Sequence, residues 1–322
     1  MEDFFKIPED ELQYTARCLR GELAKRGWKE ALAVRSTKRY LIFATRPDGK
    51  KIRFCPCTPG DTGVISSEIA DNKRVTSALF EYAGIPQPKT VLLSSDKGEM
   101  RKQLESLLQQ YQKIVVKPTD GAHGDGVVTD ITDIDEAMSA AVATCSKDGK
   151  CNAIAQEQLQ GEETEIRAIC IGGKFVAAYK RIPAMVTGDG ENNIWELIEK
   201  ENDELRTEAY RGDFPKIDIK GAKDYIEKHA VDTSRVPERG EKVRVMTMCN
   251  VGMGGTTEEI ELEPSRIALS EKIADITELP VVGIDYYGDK VIEINSGPSL
   301  YWPVRENGDK CVRAYADYLE QI

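Results

Sequence analysis

Apolar positions recur along this chain with two different periods. Between residues 9 and 29, Leu12, Ala16, Leu19 and Leu23 fall at spacings of four, three and four, which places them on one face of a helix. Residues 40–43 and 52–54 are short β-type runs on either side of Pro47-Asp48-Gly49 and are expected to pair as a hairpin. A second helix is expected from about residue 72 to 82, with Gly84 ending it and Pro86 and Pro88 just beyond. After Val91, Leu104, Leu107, Leu108 and Tyr111 mark a further helix. A strand over 114–117, a glycine-rich turn, Val127-Val128, a helix over 133–144 and a strand over 154–159 follow. Strands over 166–171 and 175–179 flank Gly172-Gly173. Helices are expected near 194–202, 221–229 and 264–277. A strand pair follows over 281–295, then a last helix with Val312, Tyr315, Ala316 and Leu319 on its inner face. The pattern describes an α+β chain in three parts: a short N-terminal α/β cap with the helix leading out of it (1–88), a central α+β unit (89–159), and a C-terminal α+β unit with an antiparallel sheet (160–322).

Composition narrows the function classes. At 322 residues the chain is long enough for two or three domains and a large core. No run of 18 apolar residues is present, so no membrane-spanning helix is expected, and the N-terminus shows no secretory pattern. The net charge of −11 argues against general nucleic-acid binding, while leaving room for an anionic substrate where basic residues converge. The eight cysteines form no C-x-x-C pair, and only His123 and His229 supply imidazoles, so neither a zinc site nor a disulfide framework is expected. Free thiols in a reducing cytoplasm are the simpler account.

Two segments carry chemistry. In 281–295, Gly288-Asp289 makes a turn between two apolar runs that are interrupted by Asp285, Glu293 and Asn295. Glu293 and Asn295 are two apart and share a face, and Asp285 reaches the same region. Two carboxylates and an amide form an oxygen-only donor set, suited to a hard divalent cation beside nucleotide phosphates. The second segment is Lys117-Pro-Thr-Asp-Gly121-Ala-His-Gly124-Asp-Gly126. Its glycines lie between strands, which excludes the Walker and Rossmann loops because both need a helix after the glycines. They let backbone N–H groups approach phosphate oxygens, with Lys117 supplying an ammonium beside them.

Lys117, the glycine loop and the later Asp285…Glu293-x-Asn295 hairpin, in this order, resemble the ATP-grasp superfamily. Ser66-Ser-Glu-Ile-Ala-Asp-Asn-Lys73, Ala83-Gly-Ile-Pro86, Lys180-Arg-Ile-Pro-Ala-Met-Val-Thr-Gly-Asp-Gly190 and Asn250-Val-Gly-Met-Gly-Gly255-Thr narrow the resemblance. They look like the branch of cyanophycin synthetases and bifunctional glutathione synthetases, over nearly the whole chain beyond residue 62. The resemblance implies an ADP-forming carboxylate–amine ligase working through an acyl phosphate on small-molecule substrates. It implies ATP and one or two magnesium ions, with manganese as an alternative, and a homodimer or homotetramer.

By the same resemblance, Lys73 and Lys117 touch the phosphates, and Gly121, Ala122, His123, Gly124 and Gly126 close over them. Gln156 and Glu157 sit beside the adenine amino group and Leu159 offers backbone contacts. Glu165, or alternatively Glu163, takes the ribose hydroxyls. Asp285, Glu293 and Asn295 hold metal, and Arg181 and Arg167 lie near the transferred phosphoryl group. Asn250, Gly254 and Gly255 line the substrate pocket with backbone N–H groups facing an anion, and Ser299 and Tyr301 lie where the substrate sits. Two departures fall in that region. Met246 stands where the branch has arginine, with Arg244 two positions away, and Ser299 replaces a glycine before Tyr301-Trp302-Pro303. The resemblance leaves a ligase of amino acids or short peptides as the leading reading. A ligase acting on a ribosomal precursor peptide and a non-catalytic nucleotide-binding module are the alternatives.

Overall fold

The structure is a computed structural model that describes residues 2–36, 40–121, 126–144, 151–161, 164–205, 216–300 and 310–322. The N-terminal sheet runs in sequence order: β1 (Glu2–Asp3), β2 (Glu30–Arg35), β3 (Tyr40–Thr45), β4 (Lys51–Cys55) and β5 (Thr58–Pro59), all antiparallel. In β3 the alternation is clean, with Tyr40, Ile42 and Ala44 inside and Leu41 and Phe43 exposed. Helix α1 (Tyr14–Lys25) buries Ala16, Leu19 and Leu23 against the inner face. It starts later than the periodicity suggests, because Glu9–Glu11 form a separate 3₁₀ turn. Strand β2 was not expected: its alternating Ala31 and Ala33 are weak strand formers, and pairing with β3 decides their conformation.

Helix α2 (Val64–Asp71) leads to α3 (Lys73–Ala83) through Asn72, whose side chain accepts from the Arg74 and Val75 N–H groups. Gly84 ends α3 at φ +65°, the left-handed conformation that favours glycine. α2 was hidden in the sequence because Val64 and Ile65 are exposed, so its apolar residues do not mark a buried face.

The middle sheet, in order β6-β9-β7-β8, is built from β6 (Thr90–Leu92), β7 (Ile114–Pro118), β8 (Val128–Ile131) and β9 (Ala153–Glu157). Helices α4 (Lys97–Tyr111) and α5 (Ile134–Ala143) cover one face, burying Leu104, Leu107, Ala137 and Ala141 against Ile114, Val116 and Ala155. The alternate residues Val115, Lys117 and Gln156 turn to the other face and line a cleft.

The C-terminal sheet, in order β14-β11-β10-β15-β16, forms the opposite wall. It comprises β10 (Glu165–Ile171), β11 (Lys174–Ile182), β14 (Thr256–Ile260), β15 (Val281–Tyr287) and β16 (Lys290–Asn295). Between β11 and β14 a small lobe is inserted: β12 (Met185–Thr187) pairs with β13 (Lys242–Arg244) over α6 (Ile194–Lys200) and α7 (Ile219–Lys228). Helix α8 (Pro264–Thr277) packs Ile273 and Ala274 on one face of the large sheet, against Ala168, Ala178, Val282 and Ile284. At one end of the other face, Ile169, Ile171, Ala177, Tyr179 and Val281 join the N-terminal core and α9 (Lys310–Gln321). Arg26 ties α1 to α9 through Asp317 at 2.6 Å and Glu320 at 2.9 Å. The other end of that face is polar and uncovered, and it carries the site.

Candidate active site

Strand register brings the site together. Glu165 stands opposite Arg181, Arg167 opposite Asp285, and Asp285 opposite Glu293, so three strand pairs place these side chains on one face. Gly283 stands opposite Asn295. A Cβ there would lie 2.8 Å from Pro298 Cβ, so the glycine makes room for Pro298 to pack on the strand, with Arg167 Cδ in ordinary contact at 3.6 Å.

The charges are paired closely. Arg167 donates from Nε to Asp285 Oδ1 and from Nη2 to Oδ2, both at 2.6 Å. Arg181 Nη1 donates to Asp285 Oδ2 at 3.1 Å and to Glu165 Oε2 at 3.2 Å. Burial pushes the Asp285 carboxyl up, but the Arg167 and Arg181 guanidinium groups outweigh it and hold it below the usual carboxylate range. The Glu165 carboxyl is pushed up by burial despite Arg181. Lys73 Nζ bridges Glu293 Oε1 at 3.2 Å and the Gly121 carbonyl at 3.0 Å, while its backbone N–H donates to the Thr119 carbonyl at 2.8 Å. Helix α3, the loop after β7 and strand β16 are thereby joined at one lysine. Burial depresses the Lys117 ammonium, with Glu293 opposing that shift and Lys73 adding to it. Arg167, Arg181, Lys73 and Lys117 gather around Glu165, Asp285 and Glu293 in one cleft, so basic groups converge locally in a protein of net charge −11.

On the facing wall, Gln156 is buried and donates from Nε2 to Thr90 Oγ1 at 2.7 Å, while its Oε1 is buried without a partner among the described residues. Beside it, Glu157 Oε1 accepts from the Lys290 ammonium and the Lys89 N–H. Leu159 lines the cleft beside them. Gly121 and Gly126 have φ of +118° and +70°. Ala122, His123, Gly124, Glu163 and Tyr301 lie outside the described residues.

The donor set for a divalent cation can be tested on the side chains themselves. Among the described residues no three His, Cys, Asp or Glu side chains converge as a metal cluster. Glu293 is open to the cleft, and Asn295 has a buried amide nitrogen with no partner among the described residues. Exchanging the two ends of that amide presents oxygen instead, as a hard cation requires. Asp285 is less free than expected, because two guanidinium groups already occupy both its oxygens. The residues fit a cation best at Glu293 and Asn295, with Asp285 behind them.

The substrate side departs from the sequence reading. The Gly254 N–H donates to the Val251 carbonyl and the Gly255 N–H to the Asn250 carbonyl, so both are used within their own turn rather than aimed at an anion. These positions are glycine for space: a Cβ on Gly254 would lie 2.7 Å from Ile217 Cα, and one on Gly255 2.7 Å from the Ile182 carbonyl. Asn250 caps that turn by accepting the Gly252 N–H at 2.9 Å, and it lines the cleft with Ser299. Met246 is buried in the core of the small lobe, whereas Arg244 lines the cleft, so the two do not share a face. Sequence reasoning also missed Tyr14, Cys57, Thr58 and Tyr225 as cleft residues. No local signal marks them, because they come from the N-terminal block and the inserted lobe. Together these walls enclose a cleft of about 1520 Å³.

Residues 84–211 match the family described as prokaryotic glutathione synthetase, ATP-grasp domain. The chain is 30% identical over 256 residues to the cyanophycin synthetase of Synechocystis sp., covering 74% of this chain and 28% of that protein. It is 24% identical over 321 residues to the glutathione biosynthesis bifunctional protein of Clostridium perfringens, covering 93% of this chain and 40% of that protein. The solved structure of a bifunctional glutathione synthetase from Pasteurella multocida superposes with a TM-score of 0.60 over 91% of this chain and 41% of that one, at 20% identity, a likeness of fold. The chain therefore spans between about a quarter and two fifths of the length of these relatives. The fold and these matches define an ATP-grasp protein, and the chain belongs to that superfamily. Within it, the chain groups with cyanophycin synthetases and bifunctional glutathione synthetases.

Proposed function

We propose that this chain is an ATP-dependent carboxylate–amine ligase that forms an amide bond between small substrates and releases ADP and phosphate. The observation that carries the reading is the convergence of Lys73, Lys117, Arg167 and Arg181 around Glu293 and Asn295, in a cleft whose other wall holds the Gln156 oxygen, without a partner among the described residues. We divide the labour at residues 88 and 159: the central unit and the large sheet hold the nucleotide between them, and the N-terminal cap closes the far end of the cleft.

In this reading the adenine amino group donates to Gln156 Oε1, and Leu159 borders the ring. Lys117 and Lys73 neutralise the phosphates, and Glu165 lies toward the ribose. Glu293 and Asn295 would hold magnesium, which when bound draws the phosphate oxygens together and offsets their charge. A substrate carboxylate oxygen attacks the γ-phosphorus, the bond to the β-phosphate bridge oxygen breaks, and ADP leaves. Arg181 and Arg167 orient the carboxylate and then the acyl phosphate, since transfer between anions needs positioning and charge neutralisation more than covalent help. An amine then attacks the acyl carbon, phosphate departs, and the amine proton passes to phosphate or water.

No described helix is long and apolar enough to cross a membrane, and none of the seven described cysteines is in a disulfide. A reducing cytoplasm suits both the thiols and the supply of ATP. The direct test is ADP release with magnesium, ATP and a panel of amino acids and dipeptides, followed by mass spectrometry of the product. A second reading is a ligase acting on a longer peptide. It is favoured by a cleft of about 1520 Å³, which exceeds the roughly 300–1,000 Å³ of ordinary small-ligand pockets. ADP release that depends on a peptide and ignores free amino acids would select it.

A further inference from the structure

The two faces of the N-terminal sheet differ in character. Its inner face carries Tyr40, Ile42, Ala44 and Phe54 in one core with α1 and α9. The other half of the alternation points outward: Glu30, Leu32 and Val34 on β2, Leu41, Phe43 and Thr45 on β3, and Lys51 and Arg53 on β4. Leu32, Leu41 and Phe43 are 39%, 43% and 49% exposed there. Strand register makes them one patch. Leu32 stands opposite Phe43 and Val34 opposite Leu41, and Leu41 and Phe43 are two apart on one strand. A single exposed leucine needs no explanation, but large apolar side chains side by side on adjacent strands mark a contact surface.

Charges of opposite sign flank the patch. Glu30, Thr45 and Lys51 form one row across β2, β3 and β4, and Leu32, Phe43 and Arg53 form the next. The β2 side is acidic at Glu30, and β4 is basic at Lys51 and Arg53. All three charged side chains are exposed, and none has an ion-pair partner among the described residues. Asp3, beside Leu32 on β1, is already paired with Lys6 at 3.0 Å.

This pattern is complementary to itself. When two copies meet face to face about a two-fold axis running along β3, each row lies over the same row of the other copy in reverse order. Phe43 then meets Phe43 of the second copy, Glu30 meets Lys51, and the Arg53 stem lies over Leu32. Sheets packed face to face stand about 10 Å apart, which a glutamate and a lysine span together. A two-fold axis across the strands would instead lay Glu30 over Val34 and leave the charge unmatched.

We propose that this outer face is a homodimer interface, with Phe43 at its centre and Glu30 paired with Lys51 of the second copy. None of Glu30, Leu32, Leu41, Phe43, Lys51 and Arg53 lines the cleft, so the proposal does not depend on what the cleft binds.

The test is analytical ultracentrifugation of the full chain from low to high micromolar concentration, where a dimer is expected at the upper end. Phe43→Glu is expected to remain monomeric throughout. Glu30→Lys and Lys51→Glu each set like charges against one another twice across the axis, and each is expected to weaken the dimer about tenfold or more. The double variant Glu30→Lys with Lys51→Glu restores the pair in the opposite sense and is expected to return to within about threefold of wild type. Thermal melting followed by circular dichroism checks that each variant is folded. If Phe43→Glu does not fold, the three charge variants decide alone. A wild type that is monomeric at every concentration, a folded Phe43→Glu variant that still dimerises, or charge reversals whose effects add rather than cancel each overturns the proposal.

Discussion

Arg167 and Asp285 stand opposite each other on neighbouring strands and meet through two parallel hydrogen bonds, both 2.6 Å long. Arg181 adds a third donor, and Asp285 is 1% exposed. The carboxylate balances two guanidinium groups at the centre of the cleft, and the pairing makes the protein sensitive to loss of that single charge.

Asp285→Asn should destabilise the fold by about 3–5 kcal/mol, because it leaves two arginines without their shared anion. Chemical denaturation measures this directly. Since Asp285 is held below the usual carboxylate range, its contribution is present above the unfolded value of about 3.9 and lost as pH falls through the lower folded value. The variant should show a flatter loss of stability in acid than wild type.

Glu293→Gln should behave differently. Its side chain is 36% exposed and its partner is a lysine, so stability should change by no more than about 1 kcal/mol. ATP-dependent turnover should be abolished, and binding of manganese to the ADP complex, followed by electron paramagnetic resonance, should weaken. Wild-type turnover in this variant would refute the metal assignment.

Lys117 gives the site an alkaline limit. Burial depresses its ammonium, so the charge is lost at a lower pH than the ordinary lysine value of about 10.4. ATP affinity should fall as pH rises through that depressed value, while the stability of the unliganded protein gains, because the folded state gives up this proton before the unfolded chain does. Calorimetry across the alkaline range should show the decline in wild type. In Lys117→Met, affinity should be weaker throughout and the Lys117-dependent decline should be absent.

Gln156 offers a test of base recognition. Its buried Oε1 lacks a partner among the described residues, and an adenine amino group would satisfy it. Gln156→Leu should weaken ATP binding by about 1–2 kcal/mol while affecting GTP little, which the ratio of the two affinities reads out. An unchanged ratio would move the base elsewhere in the cleft.

The hairpin over 281–295 was legible because its information is local. Gly288-Asp289 defines the turn, and alternation in β16 puts Glu293 and Asn295 on one face. The helix stop at Gly84 and the inner faces of α1 and α9 were legible for the same reason. Strand β14 and helix α2 were not: the run Thr256-Thr-Glu-Glu-Ile260 lacks apolar alternation, and the first residues of α2 are exposed.

From the sequence alone follow the α+β class, the order of its elements, and the residue types that suit phosphate and metal, because these depend on periods of two or 3.6 residues and on side-chain chemistry. The partners of those residues depend on sheet order. Strand β10 lies between β11 and β15, so Arg167 finds Asp285 across 118 positions, and nothing local announces that contact. Tertiary structure likewise turned Met246 into the small-lobe core, put Arg244 on the cleft wall, and spent the Gly254 and Gly255 N–H groups inside a turn. A side chain's neighbours come from segments far away in the chain, and only packing decides which of them it meets.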